Sequence, residues 1–520
     1  MADLTIKRVL ISDKVDEVCK TIFESNKINV DYRPGISKEE LLAIIKDYDC
    51  LVVRSATKVT AEVFSAAPNL KLVGRAGTGV DNIDLKAATN NGVFVMNTPG
   101  GNTMSAAEHT CAMMFSLARH IPQGYMSMQE GKWERSKFMG CELKGKTLGI
   151  IGLGRIGKEV ALRMQACEMR TVGYDPIVPK EAAAEFGVEF MELEEMWPIV
   201  DFITVHTPLI PQTKGLVNAK TFDKCKKTIR VINVARGGII DESDLLDALN
   251  AGKCAGAGLD VFSSEPPSGV VSELVKHPRV VCTPHLGAST AEAQVRVAKE
   301  IAEQIVDACN GKTAVGLVNA PAISEAGKED VKPWMALGQA LGAVLCKISP
   351  TLPKLVNIKT RGEKPKGLTR ALTSAVSLGL LKFQGGNINL LNAPSVAKEK
   401  GIQIQVSDDV VQKCCFSTCL SLSSDNGTVQ ASGTVLDNKA VLTNCLGVAL
   451  DNPLILGNCL VIGSGKLSEK SSLISALVGK ITSVKAFVTG ADNDRCVIAA
   501  SVAEVCEEAI GNGFCCISLV

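Results

Sequence analysis

The chain has 520 residues, which is more than one hydrophobic core can hold, so about three or four domains are expected. Its formal net charge is +1, which provides no overall field for binding nucleic acid or an acidic membrane. Aromatic residues make up only 4% against 46% hydrophobic residues, and this balance favours aliphatic α/β layers.

The first hundred residues alternate between strand-like and helix-like patterns. Between residues 8 and 98, apolar runs such as RVLIS and CLVVRS are separated by helical stretches, which predicts a parallel sheet wrapped by helices. One of these helices begins at Ser37, which forms a capping-box pattern with Glu40. A long helical pattern follows, from about Thr103 to Met128. The amino-terminal segment carries charges within its apolar stretch, so we expect a first strand rather than a signal peptide.

The motif GLGRIG occupies residues 152–157, between a strand-like run and an amphipathic helical segment. That order is typical of a dinucleotide site, in which the glycines allow a tight turn, close approach to a pyrophosphate and helix packing. Asp175 ends the next strand-like run, where a carboxylate can accept hydrogen bonds from the adenosine ribose. It would repel a 2′-phosphate, and its neighbours Pro176 and Ile177 supply no cation. The motif therefore predicts NAD rather than NADP.

Three polar residues follow successive strand-like runs of the same block: Arg236, Glu265 and His285. A guanidinium can hold a substrate carboxylate by paired hydrogen bonds. A neutral imidazole can take a hydroxyl proton, and a carboxylate on its other nitrogen fixes the tautomer. The three together predict oxidation of a 2-hydroxy acid. His206, which also ends a strand-like run, is the competing candidate for the base.

Beyond a charged linker at 322–333, the composition changes. From about residue 454 the pattern is strand, helix, strand, strand, helix, strand, which predicts a small ferredoxin-like module. The 19 cysteines form no CxxC pair and no zinc-spaced cluster with histidine, so we predict no metal site and reduced thiols in the cytosol. No uncharged apolar run reaches the length of about 18 residues that indicates a membrane span.

Several motifs resemble the signatures of the D-isomer-specific 2-hydroxyacid dehydrogenases: GRAGTGVDNID at 74–84, NTPGGNTMSAAEHT at 97–110, VARGGIIDE at 234–242, GLDVFSSEPP at 258–267 and TPHLGAST at 283–290. Within that family the chain is similar to the long animal-type form with a carboxyl-terminal extension. The resemblance implies a bilobed α/β subunit in which a Rossmann domain is inserted into a flavodoxin-like domain, followed by α+β regulatory domains. The implied boundaries are substrate binding at 1–101 and 286–320, NAD binding at 102–285, an intervening domain at 334–453 and a short ACT-like domain at 454–520.

The same resemblance implies NAD-dependent oxidation of 3-phospho-D-glycerate to 3-phosphohydroxypyruvate, the first step of phosphorylated serine biosynthesis. His285 would be the acid–base residue, Glu265 its partner and Arg236 the carboxylate clamp. The residues expected to contact NAD are Thr78, Gly152, Gly154, Arg155, Ile156, Gly157, Asp175, Thr207, Val234, Ala235, Arg236, Asp260, His285, Leu286, Gly287 and Ala288. A homodimer or homotetramer that assembles through the dinucleotide domain is also implied.

A dianionic phosphate on the substrate needs more cations than one arginine. Arg54 and Arg75 end strands of the first lobe, beside Gly77, and Arg135 is a third candidate that could reach a neighbouring subunit. Two alternatives stay open: a dehydrogenase of another 2-hydroxy acid, such as 2-hydroxyglutarate, glycerate or lactate, and an NAD-sensing corepressor-like scaffold. Because no histidine follows His285, we do not expect the histidine-containing serine site of bacterial relatives.

Overall fold

The computed structural model describes residues 4–312, 315–320, 326, 328–349, 351–385, 388–407, 416–424, 429–474, 484–492, 495–502 and 514–519. The chain divides into two compact units. Unit 1 comprises Met1–Asn97 together with Lys299–Val520, and unit 2 comprises Thr98–Ala298. In the part of the chain that is described, no helix combines the length and the apolar character that crossing a membrane requires.

The amino-terminal part of unit 1 is a five-stranded parallel sheet, with β1 Arg8–Ile11, β2 Asn29–Tyr32, β3 Cys50–Val53, β4 Leu72–Arg75 and β5 Phe94–Asn97. The strand order is β2-β1-β3-β4-β5, which confirms the predicted flavodoxin-like topology. Its helices are α1 Val18–Ser25, α2 Lys38–Ile44, α3 Ala61–Ser65 and α4 Leu85–Asn90, with a 3-10 turn at Ile45–Asp47. The predicted capping box at Ser37 and Glu40 is present.

A later segment of the chain returns to this sheet within unit 1. The amide of Val318 donates to the carbonyl of Val95 at 2.8 Å, and the amide of Asn97 donates to the carbonyl of Gly316 at 2.9 Å. Residues beside the last strand of the sheet are therefore contributed by sequence more than 200 positions away.

Unit 2 is a seven-stranded parallel sheet, with β6 Thr147–Ile151, β7 Arg170–Tyr174, β8 Glu189–Phe190, β9 Phe202–Val205, β10 Arg230–Asn233, β11 Gly256–Leu259 and β12 Val280–Cys282. The order is β12-β11-β10-β9-β6-β7-β8. Strands β6 to β8 extend the sheet to one side and β9 to β12 extend it to the other, so the strand order reverses between β6 and β9. This is the predicted Rossmann arrangement. All five residues of β6 are buried, which explains why its sequence, TLGII, is almost entirely apolar or small.

The helices of unit 2 are α5 Thr103–Arg119, α6 Ile121–Gln129, α7 Arg155–Ala166, α8 Lys180–Ala184, α9 Leu193–Met196, α10 Ala219–Lys224, α11 Glu242–Asn250 and α12 Val270–Lys276, followed by α13 Ala291–Cys309, which continues into unit 1. The prediction of one helix from Thr103 to Met128 was wrong. The helix breaks at His120, whose φ of 51° is left-handed, and Pro122 stands in the first turn of α6.

The rest of unit 1 contains two further sheets. The first is built from β13 Leu355–Arg361, β14 Gln403–Ser407, β15 Cys419–Ser424, β16 Gln430–Leu436, β17 Lys439–Cys445 and β18 Val448–Ile455. Its order is β14-β13-β15-β16-β17-β18, and it is accompanied by α14 Lys332–Ile348, α15 Glu363–Gly367, α16 Thr369–Leu381 and α17 Ala393–Glu399. Apolar side chains of α14 and α16 share one buried core with this sheet.

The last sheet contains β19 Cys459–Lys466, β20 Val484–Asp492, β21 Arg495–Val502 and β22 Phe514–Ser518, in the antiparallel order β20-β21-β19-β22. A ferredoxin-like module has this strand order. The two helices predicted for the module fall mainly at 475–483 and 503–513, and part of the predicted linker falls at 322–325 and 327. These segments lie outside the described residues.

Candidate active site

The candidate site lies at the carboxyl ends of three adjacent strands of unit 2. Arg236 follows β10, Glu265 follows β11 and His285 follows β12, and the three strands are neighbours in the sheet. Because parallel strands end at the same edge, residues that are far apart in sequence are presented together.

Glu265 bridges His285 and the backbone. Nδ1 of His285 lies 2.9 Å from Oε2 of Glu265, and Oε1 of Glu265 accepts a hydrogen bond from the amide of Phe262 at 3.0 Å. The side chain of His285 is 51% exposed and that of Glu265 is 39% exposed. Nδ1 of the imidazole is therefore held by a carboxylate, and the side chain is half-exposed.

The backbone turn that carries Arg236 is fixed by Asn233, which is 2% exposed. Its amide nitrogen donates to the carbonyl of Arg236 at 2.8 Å, and its amide oxygen accepts from the amide of Ala235 at 3.0 Å. The next residue, Gly237, packs so tightly that an added Cβ would lie 1.9 Å from the carbonyl carbon of Phe262. The backbone of the turn after β10 therefore packs directly against the backbone of the turn after β11. Sequence reasoning missed Asn233, whose only signal was a polar amide within an otherwise apolar strand-like run.

Asp260 holds the turn that presents His285. Its side chain is fully buried, and its two oxygens accept from the amides of Leu286 and Gly287 at 2.7 and 2.8 Å. Burial acts to raise the pKa of Asp260, but hydrogen bonds from His109, Thr283 and these two amides outweigh it, so the pKa lies below its usual range. The carboxylate of Asp260, a residue predicted to contact NAD, thus organises the backbone of this turn.

His285 has a left-handed backbone conformation, with a φ of 57°. Such a conformation costs a non-glycine residue about 1–2 kcal/mol. The amide of His285 donates to the carbonyls of Asp260 and Thr283, at 2.8 and 3.1 Å, and these bonds keep the residue in place. The surroundings therefore fix the direction of the His285 side chain rather than leaving it to an unconstrained loop.

The GLGRIG segment joins β6 to α7 and has the features of a pyrophosphate cradle. An added Cβ at Gly157 would lie 2.0 Å from the carbonyl oxygen of Gly152, whereas one at Gly154 would have no neighbour within 4 Å. Gly154 is the N-cap of α7 and supplies no side-chain cap, so the first amides of the helix are open to an anion. The residues therefore fit a dinucleotide.

Two further residues bear on that fit. Asp175 accepts from the amide of Leu153 through Oδ2 at 2.8 Å, and from the amides of Ile177 and Val178 through Oδ1 at 2.8 and 3.1 Å. Oδ2 therefore keeps a lone pair for a ribose hydroxyl. The hydroxyl of Thr207 is buried without a hydrogen-bond partner among the described residues, beside Gly152, which suits a ligand that brings its own polar groups.

The remaining predicted cofactor residues of unit 2 line the same edge of the sheet. Arg155 and Ile156 open α7, Val234 and Ala235 follow β10, and Leu286 to Ala288 follow β12. His206, the competing base, has Nε2 3.0 Å from the hydroxyl of Thr204 on its own strand, and burial lowers its pKa to about 3. It is neutral at physiological pH and its ring nitrogen is engaged within the sheet edge.

The predicted phosphate-binding residues lie in unit 1, at the carboxyl ends of two paired strands. Arg54 follows β3 and Arg75 ends β4. The amide of Arg54 is bound by Asp13 at 2.6 Å, and burial lowers the pKa of the Arg54 guanidinium. The guanidinium of Arg75 lies over Gly77, where a Cβ would fall 1.7 Å from Nη1. Thr78 follows, and its carbonyl accepts from the side chain of Asn97 at 2.5 Å.

Arg135, the third predicted cation, opens a short 3-10 turn at Arg135–Phe138 and is exposed in unit 2. Among the residues that the structure describes, no three His, Cys, Asp or Glu side chains are grouped closely enough to hold a metal ion.

The fold and the site define an NAD-dependent dehydrogenase of the D-2-hydroxyacid class. Residues 111–287 match the family "D-isomer specific 2-hydroxyacid dehydrogenase, NAD binding domain", and residues 330–443 match the family "D-3-phosphoglycerate dehydrogenase intervening domain". NAD is therefore the cofactor.

Among curated proteins, the chain is 50% identical over 447 residues to D-3-phosphoglycerate dehydrogenase of Homo sapiens, covering 85% of this chain and 84% of that one. It is 53% identical over 409 residues to the Rattus norvegicus protein of the same name, covering 78% and 76%. The apo-structure of D-lactate dehydrogenase from Escherichia coli is similar with a TM-score of 0.53 and 26% identity, covering 60% of this chain and 99% of that one. The chain belongs to the D-3-phosphoglycerate dehydrogenase family.

Proposed function

We propose that this chain oxidises 3-phospho-D-glycerate to 3-phosphohydroxypyruvate, with His285, Glu265 and Arg236 as its catalytic residues. The observation that carries the proposal is the 2.9 Å hydrogen bond between His285 and Glu265, at strand ends next to the one that carries Arg236. A panel of substrates distinguishes this reaction from the oxidation of another 2-hydroxy acid.

Each residue has one task in the proposed reaction. Arg236 binds the substrate carboxylate by paired hydrogen bonds and so sets the orientation of C2. Nε2 of His285 takes the proton of the C2 hydroxyl, and Glu265 stabilises the imidazolium that results. NAD, when bound, accepts the hydride that leaves C2. In the reverse direction the protonated His285 returns its proton to the carbonyl oxygen.

Arg54 and Arg75 are proposed to bind the phosphate of the substrate. Their support is their position at adjacent strand ends of unit 1, together with the demand of a dianion for more than one cation. The test is a substrate panel of 3-phosphoglycerate, glycerate, D-lactate and D-2-hydroxyglutarate with NAD, followed by NADH absorbance and coupled to removal of the keto acid. The highest kcat/KM should belong to 3-phosphoglycerate; a higher value for an unphosphorylated acid would contradict the proposal.

The domain assignment is part of the same proposal. Residues 1–101 with 286–320 would bind substrate, 102–285 would bind NAD, and 334–453 and 454–520 would be the intervening and ACT-like domains. The division of the chain into Met1–Asn97 with Lys299–Val520, and Thr98–Ala298, supports an inserted dinucleotide domain. The cytoplasmic location predicted from the cysteine usage also belongs to this proposal, and cell fractionation tests it.

A homodimer or homotetramer is proposed to assemble through unit 2, with a second copy of the chain covering α6 and the loop after it. This surface carries apolar side chains that are unusually exposed, among them Tyr125 at 65%, Trp133 at 75% and Met139 at 81%. Exposed apolar clusters of this kind mark protein interfaces. Arg135 lies in the same loop and would reach the partner's site. Light scattering should show a dimer or larger species that Trp133→Glu converts to monomer; a monomeric unmodified chain would contradict this assembly.

A further inference from the structure

Behind the turn that presents His285 lies a second histidine, His109, on α5. Its Nε2 lies 2.9 Å from the hydroxyl oxygen of Thr283 and 3.3 Å from Oδ1 of Asp260. The side chain of His109 is only 20% exposed. Thr283 lies two residues before His285, and Asp260 is the carboxylate whose oxygens accept the amides just after it. His109 therefore contacts both Thr283 and Asp260, the two residues that hold the turn of His285 in place.

The direction of these hydrogen bonds follows from which of the three side chains has a proton to donate. The hydroxyl of Thr283 is 2.5 Å from Oδ1 of Asp260, which, as a carboxylate, can only accept. Because Thr283 has one hydroxyl proton and donates it to Asp260, its oxygen must accept from His109. Nε2 of His109 therefore carries a proton, and the chain of donors runs from His109 through Thr283 to Asp260.

We propose that His109 is a positioning residue for His285, acting through Thr283 and Asp260. This inference rests on the proposed function, in which His285 is the acid–base residue. The hydrogen bond from His109 fixes the rotamer of Thr283, and the donated hydroxyl helps to keep the buried carboxylate of Asp260 charged and in place. That carboxylate in turn holds the amides of Leu286 and Gly287, so that His285 keeps its left-handed conformation.

The arrangement predicts an effect on turnover that is separate from binding. The polar contacts of His109 among the described residues are with Thr283 and Asp260, which lie outside the GLGRIG segment. Loss of its donor should therefore misplace the imidazole of His285 while leaving the dinucleotide cradle as it is. A displacement of a catalytic group by a fraction of an ångström lowers the rate of the chemical step.

The experiment compares His109→Met with His109→Gln in the full chain. Both side chains have similar length, but only glutamine keeps a nitrogen donor near the position of Nε2. His109→Met should lower kcat about tenfold, the equivalent of one lost hydrogen bond, and change the KM values and the NADH dissociation constant less than about twofold. His109→Gln should restore kcat to within about threefold of the unmodified chain. Rates are expressed per NADH-binding site, so that an unfolded fraction does not count as lost turnover.

A second pair keeps the proposal open to refutation if His109→Met fails to fold. Thr283→Val should lose turnover as His109→Met does, Thr283→Ser should retain it, and the double variant His109→Met with Thr283→Val should lose less than the product of the two single losses. His120→Asn, on a histidine outside the network, should leave kcat unchanged.

The outcomes separate the two proposals. Equal kcat values for His109→Met and the unmodified chain, equal losses in the Met and Gln variants, or fully multiplicative losses in the double variant would each overturn the positioning role. An unmodified chain that binds NADH but does not oxidise 3-phosphoglycerate would instead overturn the proposed function.

Discussion

Glu265→Gln is the most informative substitution at the site, because the structure shows that the two oxygens of Glu265 have different partners. One oxygen accepts from the amide of Phe262 and the other pairs with Nδ1 of His285. Glutamine has one acceptor oxygen and one NH₂ group. If its oxygen faces the amide of Phe262, its NH₂ group faces Nδ1 of His285, which can accept only in the tautomer that carries the proton on Nε2; turned the other way, the NH₂ group faces the Phe262 amide. The isosteric variant therefore keeps the volume but cannot keep both hydrogen bonds while Nε2 remains able to accept a proton.

The expected loss can be estimated from the exposure of the pair. A hydrogen bond to a charged group contributes about 1.5–3 kcal/mol. The side chains are 51% and 39% exposed, so solvent screens the pair and the lower end of that range applies. We therefore expect kcat to fall about 10- to 30-fold, since each 1.36 kcal/mol corresponds to about tenfold in rate.

The assay measures kcat by NADH formation and NADH affinity by fluorescence titration. Glu242→Gln is the matched control, because Glu242 binds the amide of Ser263 in the same loop at 2.7 Å without touching His285. It should retain kcat to within about threefold, because the glutamine oxygen can still accept from the amide of Ser263. If Glu265→Gln keeps more than half of its turnover, or if both variants lose turnover equally, the assigned role of Glu265 is refuted.

Other substitutions test other parts of the account. Gly157→Ala forces a Cβ to within 2.0 Å of the carbonyl oxygen of Gly152, so it should lower the free energy of unfolding by about 1–3 kcal/mol in urea titrations. Gly154→Ala meets no protein atom within 4 Å, so it should leave stability unchanged yet weaken NADH binding at least about tenfold; the opposite pattern would contradict the cradle. Arg75→Ala should raise the KM for 3-phosphoglycerate far more than the KM for NAD, and equal effects would reject phosphate binding. Burial lowers the pKa of His206 to about 3. Between about pH 6.5 and that value, the unfolded state binds a proton at this histidine and the folded state does not. The free energy of unfolding should therefore decrease as the pH is lowered, by up to about 1.4 kcal/mol per pH unit. His206→Gln should reduce that slope in thermal melts between pH 8 and 5, and an unchanged slope would contradict the assigned pKa.

The sequence predicted the elements whose pattern is local. The GLGRIG turn, the alternation of strands and helices, and the capping box at Ser37 each depend on a few neighbouring residues, and the structure has them. The break between α5 and α6 also has a local signal, because Pro122 disfavours a continuous helix, although the helical pattern extends on both sides of it.

What the sequence could not supply were contacts made across the fold. His109 and Thr283 are 174 positions apart, and nothing in either segment indicates the other. The roles of Asn233 and Asp260 could not be predicted for a similar reason, since the turns that they hold matter only because the ends of neighbouring strands lie together. The carboxylate of Asp260, a residue predicted to contact NAD, binds the backbone amides of Leu286 and Gly287; that role depends on the direction of the side chain, which composition and spacing do not fix.

The central claim is that His285 performs proton transfer at C2 of the substrate. The most direct measurement is a single-turnover assay of His285→Asn, with enzyme in excess over 3-phosphoglycerate and saturating NAD, alongside NADH titration of the same sample. The account predicts NADH binding within about threefold of the unmodified chain and a rate of NADH formation at least about 100-fold lower, as expected for loss of a general acid–base. A His285→Asn variant that forms NADH at close to the unmodified rate would contradict it.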